Sequence, residues 1–168
     1  MNNQDDRLIN REEFVDLVKP LRGLKVTQSS KGIGTTLLMD IGRLRKVPRI
    51  PAKKLPSGLK IGGGNHLKGQ ASILITWDWR VERQCSVEFG SASSERKITN
   101  GIERLKGLTV ESIEVFGRIP ELVIQFRENR WLRSFVVIET QPEWGVFFRD
   151  GSCLYVKKGT IRKYPASP

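Results

Sequence analysis

LRGLKV, Leu21–Val26, recurs 84 positions later as LKGLTV, Leu105–Val110. At the same offset REEFVDLVKPLRG, from Arg11, faces ERKITNGIERLKG, from Glu95, which sets Phe14 over Ile98, Val18 over Ile102 and Leu21 over Leu105. Downstream, LLMDI (Leu37–Ile41) matches LVIQF (Leu122–Phe126) at an offset of 85. The extra residue falls in the intervening turn, where length changes are tolerated. WRVERQCSVEFG, from Trp79, then resembles WGVFFRDGSCLYVKKG, from Trp144. A fixed-offset likeness over several elements in the same order points to two copies of one unit.

Each copy reads as helix, hairpin, strand, hairpin. Asn10 followed by Glu13 fits a capping box. Phe14, Leu17, Val18 and Leu21 come next at helical spacing, and Pro20 marks the end. Leu24–Ser29 and Thr35–Ile41 read as an antiparallel pair. SILITWDWRVE, 72–82, reads as one strand, with Ile73, Ile75, Trp77, Trp79 and Val81 on a core face and Thr76, Asp78, Arg80 and Glu82 opposite. CSVEF, from Cys85, is its expected partner. A second helix is expected over about Ser94–Leu105, interrupted by Gly101. Strands are then expected at Thr109–Phe116, Glu121–Arg127 and Trp131–Glu139, before a hairpin, Trp144–Phe148 with Ser152–Lys157, turning at Asp150-Gly151. The fold class is therefore α+β: mainly antiparallel β with two short helices, built from two internal repeats. One domain is expected over 1–168, with halves of about 10–90 and 94–164.

GLKVTQSSKGIGTTLLMDIG, Gly23–Gly42, raises the question of a phosphate-gripping loop. It lacks the Gly-Lys-Ser/Thr order of a Walker loop, and its glycines lead into a strand-like run rather than a helix. A hairpin turn using glycine for positive φ is the favoured reading, ahead of an anion held on its amides.

A hydrophobic content of 38% and a charged content of 28% suit a globular chain. No apolar run approaches the roughly 20 residues of a membrane helix, and the acid-bearing start MNNQDDRLINREEF is unlike a secretory signal. A cytoplasmic location is expected. Cys85 and Cys153 are too few for a disulfide scaffold, and both fall in strand-like runs where buried, reduced thiols are usual. With His66 the sole histidine, neither a His/Cys zinc set nor a histidine-based triad stands out. Asp78 and Glu82 flank Arg80, a pattern better suited to a salt-bridge ladder than to an acid–base pair. No catalytic residue, metal site or small-molecule cofactor is predicted.

The charge is local. Of the net +11, eight positive charges without one acid lie between Ile41 and Trp77. They fall in an insertion, about 42–70, that carries prolines 48, 51 and 56 and the triplet Gly62–Gly64 and has no counterpart in the second half. Arg43, Arg45, Lys46, Arg49, Lys53, Lys54 and Lys60 are the candidate partner-binding residues. Clustered cations suit a solvated loop without a partner, an acidic protein surface, by steering and charge complementarity, or the phosphates of a nucleic acid. No aromatic interleaves them, as single-strand stacking would require.

WDWRVE with FGS, LKGLTVES, PELVIQF and SFVVIETQPEWGVFFRDG together resemble small bacterial domains of the immunity type, encoded near polymorphic toxins. The resemblance covers about Leu21–Lys157 and rests on strand patterns. It implies a non-enzymatic binder that neutralises a partner protein, such as a toxin, by occlusion. The basic insertion has no place in that pattern, and a basic nuclease toxin would prefer an acidic inhibitor. The alternative is a nucleic-acid-binding accessory protein that uses the insertion on phosphates.

Overall fold

The computed structural model describes residues 6–47, 67–136 and 143–166, and the backbone of 53–54 and 60–61. In chain order the elements are β1 (Arg7–Leu8), α1 (Arg11–Val18), β2 (Val26–Lys31), β3 (Leu37–Ile41), β4 (Arg45–Lys46), β5 (Lys53–Lys54), β6 (Lys60–Ile61), β7 (Leu67–Lys68), β8 (Ala71–Ile75), β9 (Asp78–Arg83), β10 (Ser86–Gly90), α2 (Glu95–Glu103), β11 (Val110–Phe116), β12 (Glu121–Phe126), β13 (Arg130–Phe135), β14 (Trp144–Phe148), β15 (Cys153–Lys157) and β16 (Thr160–Tyr164). Mainly antiparallel sheets with two short helices make this an α+β fold.

The strands form a seven-stranded sheet, β1-β16-β15-β14-β8-β3-β2, and a five-stranded sheet, β10-β9-β13-β12-β11. Hairpins cross between them. β9 and β10 come after β8 in sequence but pair beside β13, whereas β14 and β15 come after β13 but pair beside β8. This crossing corrects the reading of 72–82 as one strand. The chain leaves the larger sheet after Ile75 and enters the smaller one at Asp78, turning at Trp77 with a left-handed φ of 62°. Trp77 is therefore 48% exposed and not a core residue, whereas Ile73, Ile75, Trp79 and Val81 are buried, the first pair in one sheet and the second in the other.

One apolar cluster joins the inner faces of both sheets to both helices, through Phe14, Val18, Met39, Ile73, Trp79, Phe89, Ile98, Ile102, Ile124 and Trp144 among others. The two buried indoles are held in the same way. Trp79 Nε1 donates to the Thr35 carbonyl at 2.6 Å and its ring meets Phe89 edge-on; Trp144 Nε1 donates to the Pro120 carbonyl at 2.9 Å and its ring meets Phe14 edge-on. A buried indole N–H needs such an acceptor.

Local signals explain the helices. Asn10 Oδ1 accepts the Glu13 amide at 2.8 Å, so one arm of the capping box is present. Pro20 lies in the 3-10 turn Lys19–Leu21 that closes α1. Gly101 does not interrupt α2, which runs through it: a Cβ there would lie 2.5 Å from the Phe89 ring, so the glycine is where the helix meets the sheet. The Gly23–Gly42 stretch is the β2–β3 hairpin, with Gly34 at φ 64° in its turn.

Two further differences concern the chain's edges. β16 and β1 extend the larger sheet beyond the expected end at Lys157. Asp6 accepts from the Tyr155 hydroxyl and from Arg162 Nη1 at 3.0 Å. Burial pushes the Asp6 carboxyl up, but the Tyr155 and Arg162 contacts outweigh it and hold the group below its usual value. Cys153 is buried, and desolvation pushes its thiol up to about 12. Cys85, contrary to expectation, is exposed in the turn between β9 and β10. Among the described residues no helix is long and apolar enough to cross a membrane.

Candidate functional site

The β3–β8 pairing is the root of the site. Leu37–Ile41 runs antiparallel to Ala71–Ile75, with Ile41 opposite Ala71. Farther out, Arg45 and Lys46 pair with Lys68 and Leu67, and Lys53 and Lys54 pair with Ile61 and Lys60. The three pairings are nested and antiparallel; the described parts of the insertion form two short two-stranded ladders, together called the ribbon, beyond an interior hairpin of the larger sheet. The three prolines of the insertion oppose its joining a continuous ladder. Short pairings nevertheless form: β4 lies ahead of Pro48, β5 between Pro51 and Pro56, and β6 and β7 after Pro56.

The corresponding connection in the smaller sheet, between β12 and β13, is the three-residue turn Arg127–Asn129, with Glu128 and Asn129 at φ 69° and 53°. Twenty-nine residues, 42–70, stand in the equivalent place in the larger sheet. The smaller sheet thus closes its hairpin with a tight turn, and the larger one with the segment that carries the ribbon.

Its root is tightly built. The Arg149 guanidinium, from the β14–β15 turn, donates to the carbonyls of Arg43 (2.7 Å), Gly69 (3.2 Å) and Lys68 (3.3 Å). Asp40 Oδ1 accepts the Gly69 amide at 3.2 Å and the Ser72 hydroxyl at 2.5 Å. A Cβ on Gly69 would sit 2.4 Å from the Ile41 carbonyl, so only glycine lets the strands approach this closely. Thus the ribbon leaves the sheet through a hydrogen-bonded joint.

The charges are placed against their own electrostatic interest. The register puts Arg45 opposite Lys68 and Lys54 opposite Lys60. Like charges directly across an antiparallel pair destabilise it. Arg43, Arg45 and Lys46 are exposed. For Lys53, Lys54 and Lys60 the backbone pairing alone is described, and Arg49 and His66 lie outside the described residues. The structure thus gathers six of the seven candidate residues on one hairpin extension. Arg149, which holds that extension, carries no signal in the sequence, because its role is a tertiary contact from the other half.

Elsewhere, Arg80 Nε meets Glu82 at 2.6 Å, an ion pair along β9. The outer face of the five-stranded sheet also carries Arg80 over Phe135 and Arg133 over Phe116, beside Trp131. Its charges are mixed, and that mixture names no ligand. Among the described residues no cluster of three or more His, Cys, Asp or Glu could hold a metal ion.

No family model, curated protein or solved structure matches the chain.

Proposed function

We propose that the protein is a non-enzymatic nucleic-acid-binding protein that presents its basic ribbon to the phosphates of a duplex. The like charges opposed at the inner rung carry this reading. Arg45 against Lys68 weakens the free ribbon at its inner rung, and a polyanion lying along the ribbon relieves that repulsion. A two-stranded ribbon also suits the major groove of B-form DNA, and the lack of interleaved aromatics favours a duplex over a single strand. An immunity-type inhibitor would use the same cations on an acidic protein. It has the weaker support, because an acidic protein patch is discrete whereas the ribbon's cations recur along both strands.

The framework is read as a duplication whose halves exchange their last hairpins. Its support is the recurrence of helix, hairpin, strand and crossing hairpin in both halves, with Trp79 and Trp144 bonded to carbonyls at equivalent turns.

Fluorescence anisotropy with an end-labelled DNA duplex of about 20 base pairs tests the reading. Five to eight phosphate contacts give a slope of log K against log salt of roughly −4 to −7. Serine at Arg45, Lys46, Lys53, Lys54 and Lys60 should remove most of that slope while leaving the melting temperature within a few degrees. Absence of duplex binding at about 50 mM salt would sink the proposal and return the ribbon to an acidic protein partner.

A further inference from the structure

The ribbon springs from the end of the molecule where the two sheets meet. There the chain segments before β2 and β11 bridge at Lys25 and Thr109. Four backbone bonds close this seam: Gly23 N to Val110 O, Val110 N to Leu24 O, Val26 N to Leu108 O and Gly107 N to Val26 O, all between 2.8 and 2.9 Å. The Gly42 amide, at the ribbon root, donates to the Lys25 carbonyl, and on the far side the Arg127 amide donates to the Thr109 carbonyl. Gly42, Lys25, Thr109 and Arg127 thus form one backbone-bonded row across the seam, with Arg43 next to Gly42 at the ribbon root. Val26 and Val110 turn into the core, whereas Lys25, Arg43 and Arg127 are exposed, as is Arg22 one residue before Gly23. Adjacent strands lie about 4.8 Å apart, so the row places cations at intervals of about 5–10 Å. Glu128 adjoins Arg127 and offsets part of its charge.

We infer that this seam is a second phosphate-binding surface, a platform on the body of the protein formed by Arg22, Lys25, Arg43 and Arg127, which takes the backbone of the duplex whose groove receives the ribbon. The inference rests on the ribbon being a duplex binder. A ribbon alone contacts the nucleic acid along one line and leaves the body free to swing. A charged row continuous with its root fixes the body against the flanking backbone, in the manner of contacts that position rather than specify.

The test uses the full chain and the same labelled duplex. Arg22→Ser, Lys25→Ser and Arg127→Ser are combined in a seam variant. Arg96→Ser, Lys97→Ser and Lys158→Ser, exposed cations away from the row, are combined in a control with the same net charge. The seam variant should weaken binding at least tenfold at about 100 mM salt. It should also flatten the salt slope by roughly 2–3, since each lost duplex phosphate contact removes about 0.9. The control should keep the wild-type slope, and both variants should melt near the wild type. A seam variant with the wild-type slope overturns the platform while leaving the ribbon reading in place. A control that flattens the slope equally overturns it too, because net charge would then account for the effect. A wild-type protein that binds no duplex overturns both readings together.

Discussion

Changing Lys68→Glu should stabilise the protein and weaken its binding. Lys68 sits opposite Arg45 at the inner rung of the ribbon, and its own carbonyl, which takes the Arg149 guanidinium, is untouched by a side-chain change. A like-charge pair at this spacing costs a few tenths of a kcal/mol and an opposite-charge pair contributes about 0.2–1 kcal/mol. The swing is about 0.5–1.5 kcal/mol at low salt, discounted toward the lower end because Arg45 is exposed. For a chain of this size that is a rise of roughly 1–5 °C in melting temperature. At about 1 M salt, where the Debye length falls to about 3 Å, the gain should fade. Duplex affinity should move the other way, since the rung loses a cation and acquires an anion. Thermal melts monitored by circular dichroism at low and high salt, with anisotropy titrations on the same samples, measure both. If Lys68→Glu melted at or below the wild type at low salt, the opposed charges would not be costing stability, and the ribbon would no longer point to a polyanion.

Trp79→Ala should cost about 3–5 kcal/mol in chemical denaturation, because it empties a fully buried ring site and orphans the Thr35 carbonyl; Trp79→Phe should cost less, and a change under about 1 kcal/mol for the alanine variant would contradict the packing. Gly101→Ala should destabilise by about 1–2 kcal/mol, the overlap with Phe89 outweighing a helix-propensity gain of about 1 kcal/mol. In a Phe89→Leu background the same change should become neutral or favourable, as a double-mutant cycle will read. Asp6 has a folded pKa below its unfolded value, so its contribution is present above about pH 4 and disappears as pH falls through the folded value. Asp6→Asn should therefore lower stability near pH 7 by about 1 kcal/mol, discounted for partial exposure, with the gap to the wild type closing as pH falls through the folded value; a gap that stayed constant with pH would remove the carboxylate from the account.

Most of the framework was legible because its signals are local. The Asn10 cap, the 3.6-residue spacing of Phe14, Val18 and Leu21, the Asp150-Gly151 turn and the alternation along Glu121–Phe126 each act within a few residues. The rest was decided by tertiary context. SILITWDWRVE alternates without a break, yet the chain changes sheets at Trp77, because each sheet has a place for one member of the Trp79 and Trp144 pair and the crossing hairpins fill both. Nothing in the alternation marks that exchange. Cys85 looked buried for the same reason: the strand pattern runs through it, but the β9–β10 turn falls there. Gly101 read as a helix interruption because its cause, the Phe89 ring, arrives from another sheet.

The insertion shows the same limit. Its charge and boundaries were plain in composition, but its prolines argue for an irregular loop, and the short pairings around them are settled by what lies at the root. β3 and β8 are already locked side by side in the interior of a sheet, so the entropy of bringing the insertion's two ends together has been met before its first rung forms. Each additional rung then needs to overcome only local costs, including the repulsion at Arg45–Lys68. A ribbon hung from an edge hairpin would lack that support. The Arg149 clamp and the close approach at Gly69 extend the same logic: the body of the protein commits part of its packing to holding the root, so that a charge pattern unfavourable in itself can be displayed beyond the core.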